Sequence, residues 1–151
     1  MQTSLMSIPQ VANGVLAIQN LNLDRFKNRL QQNAPRGKGW TPQQAIEAEK
    51  WYRRFLILSV KHPDVTLVPT AEVDEFWHLH VLDMQCYQDD TKGIFGEVLL
   101  HTPLFNGEDL SEEFKQTQAL FVREFGEAPT SEGDHEAASC KAASYKRPMF
   151  V

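Results

Sequence analysis

Only two cysteines, Cys86 and Cys140, occur in the 151 residues. That is too few for a disulfide-stapled secreted scaffold and fits reduced thiols in a cytoplasm. No apolar run approaches the roughly 18 residues a membrane span needs. The first residues lack a basic stretch followed by an apolar one, and neither end carries a lipidation pattern. The expectation is a cytoplasmic protein with no membrane attachment. Glycine is sparse, at eight residues, and no glycine-rich tract, internal repeat or low-complexity segment is present. A phosphate-cradling loop, a dinucleotide fingerprint, a nucleophile elbow, an HExxH helix and a CxxC pair are all missing.

Positive charge is also in short supply. The formal net charge is −5, which argues against nucleic acid or an anionic membrane surface as partner. The charge is unevenly spread. Residues 1–40 hold Arg25, Lys27, Arg29, Arg36 and Lys38 against the single acid Asp24, which is +4 and leaves −9 on the rest. This basic stretch reads as a solvated helix face, with docking of an acidic partner as the alternative. Protein or small-molecule partners stay open, as does the oligomeric state.

What is present is ordinary globular composition. Apolar residues make up 42%, including nine Phe, three Trp and three Tyr, enough for one well-filled core. Residues 1–14 read as a loose lead-in, 15–145 as one helical domain and 146–151 as a tail. Leu23, Phe26 and Leu30 share a helical face, and 33–39 is a loop rich in breakers. Thr41-Pro42-Gln43-Gln44 is a capping-box start. Ala45, Ala48, Tyr52, Phe55, Leu56 and Ser59 follow as one stripe, and the helix should stop near His62-Pro63. Thr70 can cap a third helix over about 71–89, with Glu72 favourably placed near its N-terminus. The span 97–109 reads as irregular. A fourth helix begins at Leu110 or Ser111, with Leu110, Phe114, Phe121, Val122 and Phe125 on one face and Gly126 as its stop. Residues 134–145 suit a short further helix. The fold class is all-α, a single-domain bundle of four to five helices. A minor two-stranded element, pairing 65–69 with 96–101, is the one β option.

The chemistry concentrates in VDEFWHLH, residues 73–80. A helix advances about 100° per residue, so Asp74 and His78 share a face while His78 and His80 point in nearly opposite directions. They cannot serve one metal from a regular helix. His80 falls on the stripe of Val73, Trp77, Met84 and Tyr87, and reads as a buried neutral histidine with a carbonyl or carboxylate partner. Asp74 and His78 read as a hydrogen-bonded pair, as two metal ligands, or as a carboxylate orienting a catalytic base. His101, in a loop before Pro103, can return over the third helix. Asp74, His78 and His101 would then make a set for a divalent metal, zinc, iron, copper or manganese. Cys86 reads as packing rather than nucleophile. Arg53 or Arg54 could pair with Asp74 or Asp83, or hold an anionic ligand.

The stretch YRRFLILSVKHPDVTLVPTAEVDEFWHLHVLDMQCYQDD, continuing to GEVLLHTP, resembles the glycine-rich domain-containing protein-like family. The likeness covers roughly residues 50–105. It rests on Val73-Asp74, Trp77-His78, His80, Tyr87 and His101-x-Pro103, as in a short bacterial-type member without the glycine-rich region. Members often have a second histidine beside the one at 101, where this chain has Leu100. Members often have a cysteine just before or after the tyrosine-containing turn, whereas here Cys86 directly precedes Tyr87, a departure from that pattern. The resemblance implies a shared site without naming its use.

Two functions follow. The first is an interaction or structural module with buried histidines. The second is a metal-dependent enzyme, hydrolytic or oxidative, using Asp74, His78 and His101. His78, His80, Tyr87 and Arg54 are its catalytic candidates, with Trp77, Tyr87 and Arg54 shaping a pocket.

Overall fold

The computed structural model describes residues 7–103 and 108–130, with the backbone alone at 140–142. Six helices occur among them: α1 (Ile8–Gln19), α2 (Asp24–Gln31), α3 (Pro42–Lys61), α4 (Ala71–Leu82), α5 (Met84–Phe95) and α6 (Ser111–Phe125). Two three-residue strands, β1 (His101–Pro103) and β2 (Cys140–Ala142), complete an all-α bundle with a minor β element. No helix among the described residues is long and apolar enough to cross a membrane.

α3 is the central post, contacted by α1, α2, α4 and α6. Its start follows the local rules. The Thr41 hydroxyl accepts the Gln44 N–H, the Gln44 side chain accepts the Thr41 N–H, and Pro42 stands at the first helical position. The expected stripe of Ala45, Ala48, Tyr52, Phe55, Leu56 and Ser59 is buried throughout. Lys61 is the last helical residue, two before Pro63. α6 likewise begins at Ser111 and ends at Gly126, whose φ of 79° is left-handed. Its buried face is Phe114, Thr117, Leu120 and Phe121, whereas Val122 is half exposed and lies off it.

The lead-in reading is corrected. The chain is helical from Ile8, and Ser7 with Gln10 makes the same reciprocal cap seen at Thr41. The signal was weak because α1 buries only Gly14 and Ile18 fully. Gly14 packs so closely that an added Cβ would lie 3.0 Å from the Ile94 carbonyl oxygen on α5.

A second correction matters more for the site. The helix expected over 71–89 breaks at Asp83, whose φ of −84° and ψ of 73° are not helical. No proline or glycine marks the break. Two contacts explain it. His80 reaches Asp90 at 2.8 Å, and Trp77 reaches Tyr87 at 3.0 Å. Ten residues along a straight helix would separate each pair by about 15 Å. The bend folds α5 back on α4 and brings both pairs into contact.

The β element also differs from expectation. β1 pairs antiparallel with β2, matching His101 to Ala142 and Pro103 to Cys140. The 65–69 stretch is occupied elsewhere, because the Val68 N–H donates to the Thr117 hydroxyl of α6 at 3.0 Å. The helix expected over 134–145 gives way to β2 at its centre, and its remainder lies outside the described residues, as does the tail.

Three of the five basic residues of the first quarter pair with acids within the chain. Arg25 pairs with Asp83, Lys27 with Glu49 and Lys38 with Glu75. Glu49 is the most enclosed of these acids. Burial pushes its carboxyl up, but hydrogen bonds from Lys27 and Arg53 outweigh burial and hold it below its ordinary value. A carboxylate so held stabilises the fold fully above its unfolded value of 4.5 and loses that contribution as pH falls through the folded value. Glu49→Gln is therefore expected to cost about 1–2 kcal/mol at neutral pH. The difference from the parent should shrink as acid is added below that value. Urea unfolding of both proteins across this range checks it, and a penalty independent of pH would contradict the ion-pair account.

Candidate metal centre

Asp74 enters through the cap of α4. The Thr70 hydroxyl accepts the Val73 N–H, and the Thr70 carbonyl accepts the Asp74 N–H at 2.9 Å. This seats the carboxylate in the first helical turn, with its side chain only 6% exposed. One turn on, His78 places Nε2 3.0 Å from Oδ2. From β1, His101 places Nε2 3.0 Å from Oδ1. His101 Nε2 thus donates to Oδ1 while His78 Nε2 stands within ion-pair distance of Oδ2, and the two rings lie 4.8 Å apart at their centroids.

Two further contacts aim His101. The Trp77 ring meets it edge-on at 4.1 Å. The Tyr87 hydroxyl accepts the Trp77 indole N–H at 3.0 Å and donates to the Leu99 carbonyl at 2.6 Å. Leu99 stands two residues before His101, so this chain of bonds fixes the approach to β1. The ligand atoms of Asp74, His78 and His101 all lie within 4.8 Å of one another. Asp74 and His101 are enclosed, whereas the His78 side chain is 44% exposed and gives the cluster an open side. Two imidazoles and one carboxylate with an open side is a donor set for a divalent transition metal.

The second histidine of the segment faces the other way, as the helical step requires. His80 is fully buried, with Tyr52 Oη 2.7 Å from Nδ1 and Asp90 Oδ2 2.8 Å from Nε2. The Tyr52 hydroxyl is the donor to Nδ1, so Nε2 carries the proton and donates to Asp90. Burial pushes the imidazole below its ordinary value and outweighs Asp90, which acts in the opposite direction. The expected neutral histidine with a carboxylate partner is what the fold contains. Cys86, read as packing, does pack against the core and also donates its thiol to Asp90 Oδ2 at 3.2 Å. The i,i+4 spacing of Cys86 and Asp90 was a usable signal for that bond. Tyr52, 28 positions from His80, left none.

Other candidates are corrected. Arg54 does not approach the cluster. It pairs with Glu127 at 3.2 Å and lies over the Trp51 and Phe125 rings. Arg53 holds Glu49 and the carbonyls of Ile18 and Leu21. Neither meets Asp74 or Asp83. Tyr87 is buried, its hydroxyl accepting from Trp77, donating to the Leu99 carbonyl and pushed well up by burial, so it ties α5 and α4 to the segment before β1. A cavity of about 400 Å³ does exist, lined by Trp40, Gln44, Trp51, Thr70 and Glu72 among others. Its lining includes none of Asp74, His78 and His101, and the donor geometry is the better guide to chemistry.

The described residues form a small helical bundle in which two histidines and one carboxylate converge. Compared with protein-family models, curated proteins and solved structures, the chain matches none.

Proposed function

We propose that this domain binds a divalent transition metal through Asp74, His78 and His101 and is a metal-dependent enzyme of hydrolytic or oxidative type. The observation that carries this reading is the convergence of three ligand atoms from α4 and β1 within 4.8 Å. The exposed His78 leaves room for water or substrate beside the ion. Zinc would suit the hydrolytic form, and iron, copper or manganese the oxidative one. We also infer that the chain is a short member of the glycine-rich domain-containing protein-like family. The support is the string Val73-Asp74, Trp77-His78, His80, Tyr87 and His101-x-Pro103. A reducing cytoplasm is the compartment proposed, from the two cysteines.

A second reading has its own observation. His101 hydrogen-bonds Asp74 Oδ1 and His78 lies 3.0 Å from Oδ2, so the three side chains tie α4 to β1. That is what an interaction module with buried histidines would need.

Metal content of the full chain, purified without chelator, separates them. The enzyme reading expects near-stoichiometric iron, zinc, copper or manganese, lost in His78→Ala and His101→Ala. Excess metal should raise the melting temperature of the parent and leave His101→Ala unmoved. Bound metal at about 100 times its Kd adds about 2.7 kcal/mol to stability. No metal, and no thermal gain with any of these ions, would leave the interaction module as the function.

A further inference from the structure

The far side of α4 carries a second group of potential ligands that the centre above does not use. His80, Cys86 and Asp90 bring one ligand atom each within 4.8 Å of the others. All three come from the α4–α5 hairpin, so the bend at Asp83 assembles them. We propose that His80, Cys86 and Asp90 form a separate site for a thiophilic divalent cation, of which zinc and cadmium are the types.

Spacing is the first argument. Asp90 Oδ2 lies 2.8 Å from His80 Nε2 and 3.2 Å from Cys86 Sγ. Tetrahedral zinc with bonds of about 2.0–2.3 Å sets its ligand atoms about 3.3–3.8 Å apart. An ion therefore enters by displacing the protons on Nε2 and Sγ, the two Asp90 contacts lengthening by about 0.5 Å and the Nε2–Sγ pair, within 4.8 Å, closing to the same span.

Orientation is the second. A metal-bound imidazole is usually steered through its other nitrogen. Nδ1 of His80 is held at 2.7 Å by Tyr52, and the ring is flanked by Phe26 and Tyr87 at centroid distances of 5.2 and 5.0 Å. Upon binding at Nε2, the ring's proton moves to Nδ1, which donates to the Tyr52 oxygen, and the Tyr52 hydroxyl hydrogen rotates away from the ring.

The donor set decides the type of ion. Nitrogen, thiolate and one carboxylate favour softer cations than the nitrogen and carboxylate donors of Asp74, His78 and His101. A nucleophilic reading of Cys86 is disfavoured, because burial and the bond to Asp90 push its thiol up. Arg25 interacts with both Asp83 and Cys86 from the outer side. Its guanidinium interacts with the thiol, and a metal ion would compete with it.

Cobalt(II) is the probe, titrated into the reduced full-length protein. Thiolate bound to cobalt gives a ligand-to-metal charge-transfer band in the near ultraviolet, which nitrogen and oxygen donors do not. The expected result is a saturable band, absent in Cys86→Ser, weakened at least tenfold in affinity in Asp90→Asn, and displaced by zinc. It should persist in Cys140→Ser and in His101→Ala, which separates this site from the Asp74 centre. Arg25→Ala should tighten binding severalfold. Circular dichroism of Cys86→Ser shows that the fold survives the exchange. No thiolate band in the folded parent, or a band that survives Cys86→Ser and is lost in Cys140→Ser, overturns the proposal.

Discussion

Trp77→Ala should cost the domain about 3–5 kcal/mol, the range for truncating a fully buried large aromatic. At this chain length that corresponds to a fall of about 10 °C in melting temperature. The indole is wholly enclosed, packs against Phe55 at 5.3 Å between ring centroids, and meets His101 at 4.1 Å. Its N–H also begins the chain through Tyr87 to the Leu99 carbonyl. Truncation leaves a cavity between α4 and α3 and removes the wall against which His101 rests. Trp77→Phe keeps most of the packing and loses the N–H, at about 1–2 kcal/mol. Tyr87→Phe leaves two buried groups without their partner, at about 2–3 kcal/mol by the same reasoning. Because Trp77 and Tyr87 share a bond, the double variant Trp77→Phe/Tyr87→Phe should cost less than the two singles together. Guanidinium unfolding followed by circular dichroism measures all four. Strict additivity would mean that the indole–phenol bond contributes nothing.

Arg53→Ala should be the most damaging change to a charged side chain, at about 2–4 kcal/mol. Arg53 rises from the middle of α3 and forks. Nη1 donates to the Ile18 carbonyl at 2.6 Å and Nη2 to the Leu21 carbonyl at 2.8 Å. Those carbonyls sit at and just beyond the end of α1, where peptide oxygens lack helical partners and the dipole favours a cation. Nε and Nη2 also grip Glu49 at 3.0 and 2.7 Å. Removal leaves a largely buried carboxylate with Lys27 alone and frees the α1–α2 connection from the central post. Arg53→Lys keeps the charge but lacks the planar fork, so it should recover less than half of the loss. Full recovery by lysine would show that charge, and not the fork, holds α1 in place. Surface pairs such as Lys38 with Glu75 should each be worth under about 1 kcal/mol.

Local chemistry was readable where neighbours in sequence are neighbours in space. Thr41, Pro42 and Gln44 cap one another within four residues, and α3 begins where they place it. Gly126 takes the left-handed turn that only a residue without Cβ adopts cheaply, and α6 stops there. The opposition of His78 and His80 follows from the helical step alone. Ser7 and Gln10 spelled the start of α1 in the same terms. The thin buried stripe behind them, with a glycine as its contact residue, hid the helix from periodicity.

Partners across the fold were not readable. The break at Asp83 has no breaker residue, and it exists because Asp90 and Tyr87 gain His80 and Trp77 by it. Arg53 and Arg54 were sent to the wrong acids because an arginine reaches whatever carboxylate or carbonyl the packing brings near, and nothing in its spacing says which. The pairing of β1 with residues 140–142 likewise joins segments about 40 positions apart, while Val68 is bound instead by Thr117.

By itself, then, the sequence determined an all-α bundle, the caps of its long helices, and two histidines facing opposite ways from one helix. Those properties rest on bonds spanning three or four residues, whose geometry the backbone dictates. Tertiary structure alone decided that His101 returns to share Asp74 with His78, and that Asp90 and Tyr52 enclose His80. Those meetings close loops of 10 to 28 residues. Their free energy comes from packing the whole core, which no local pattern records.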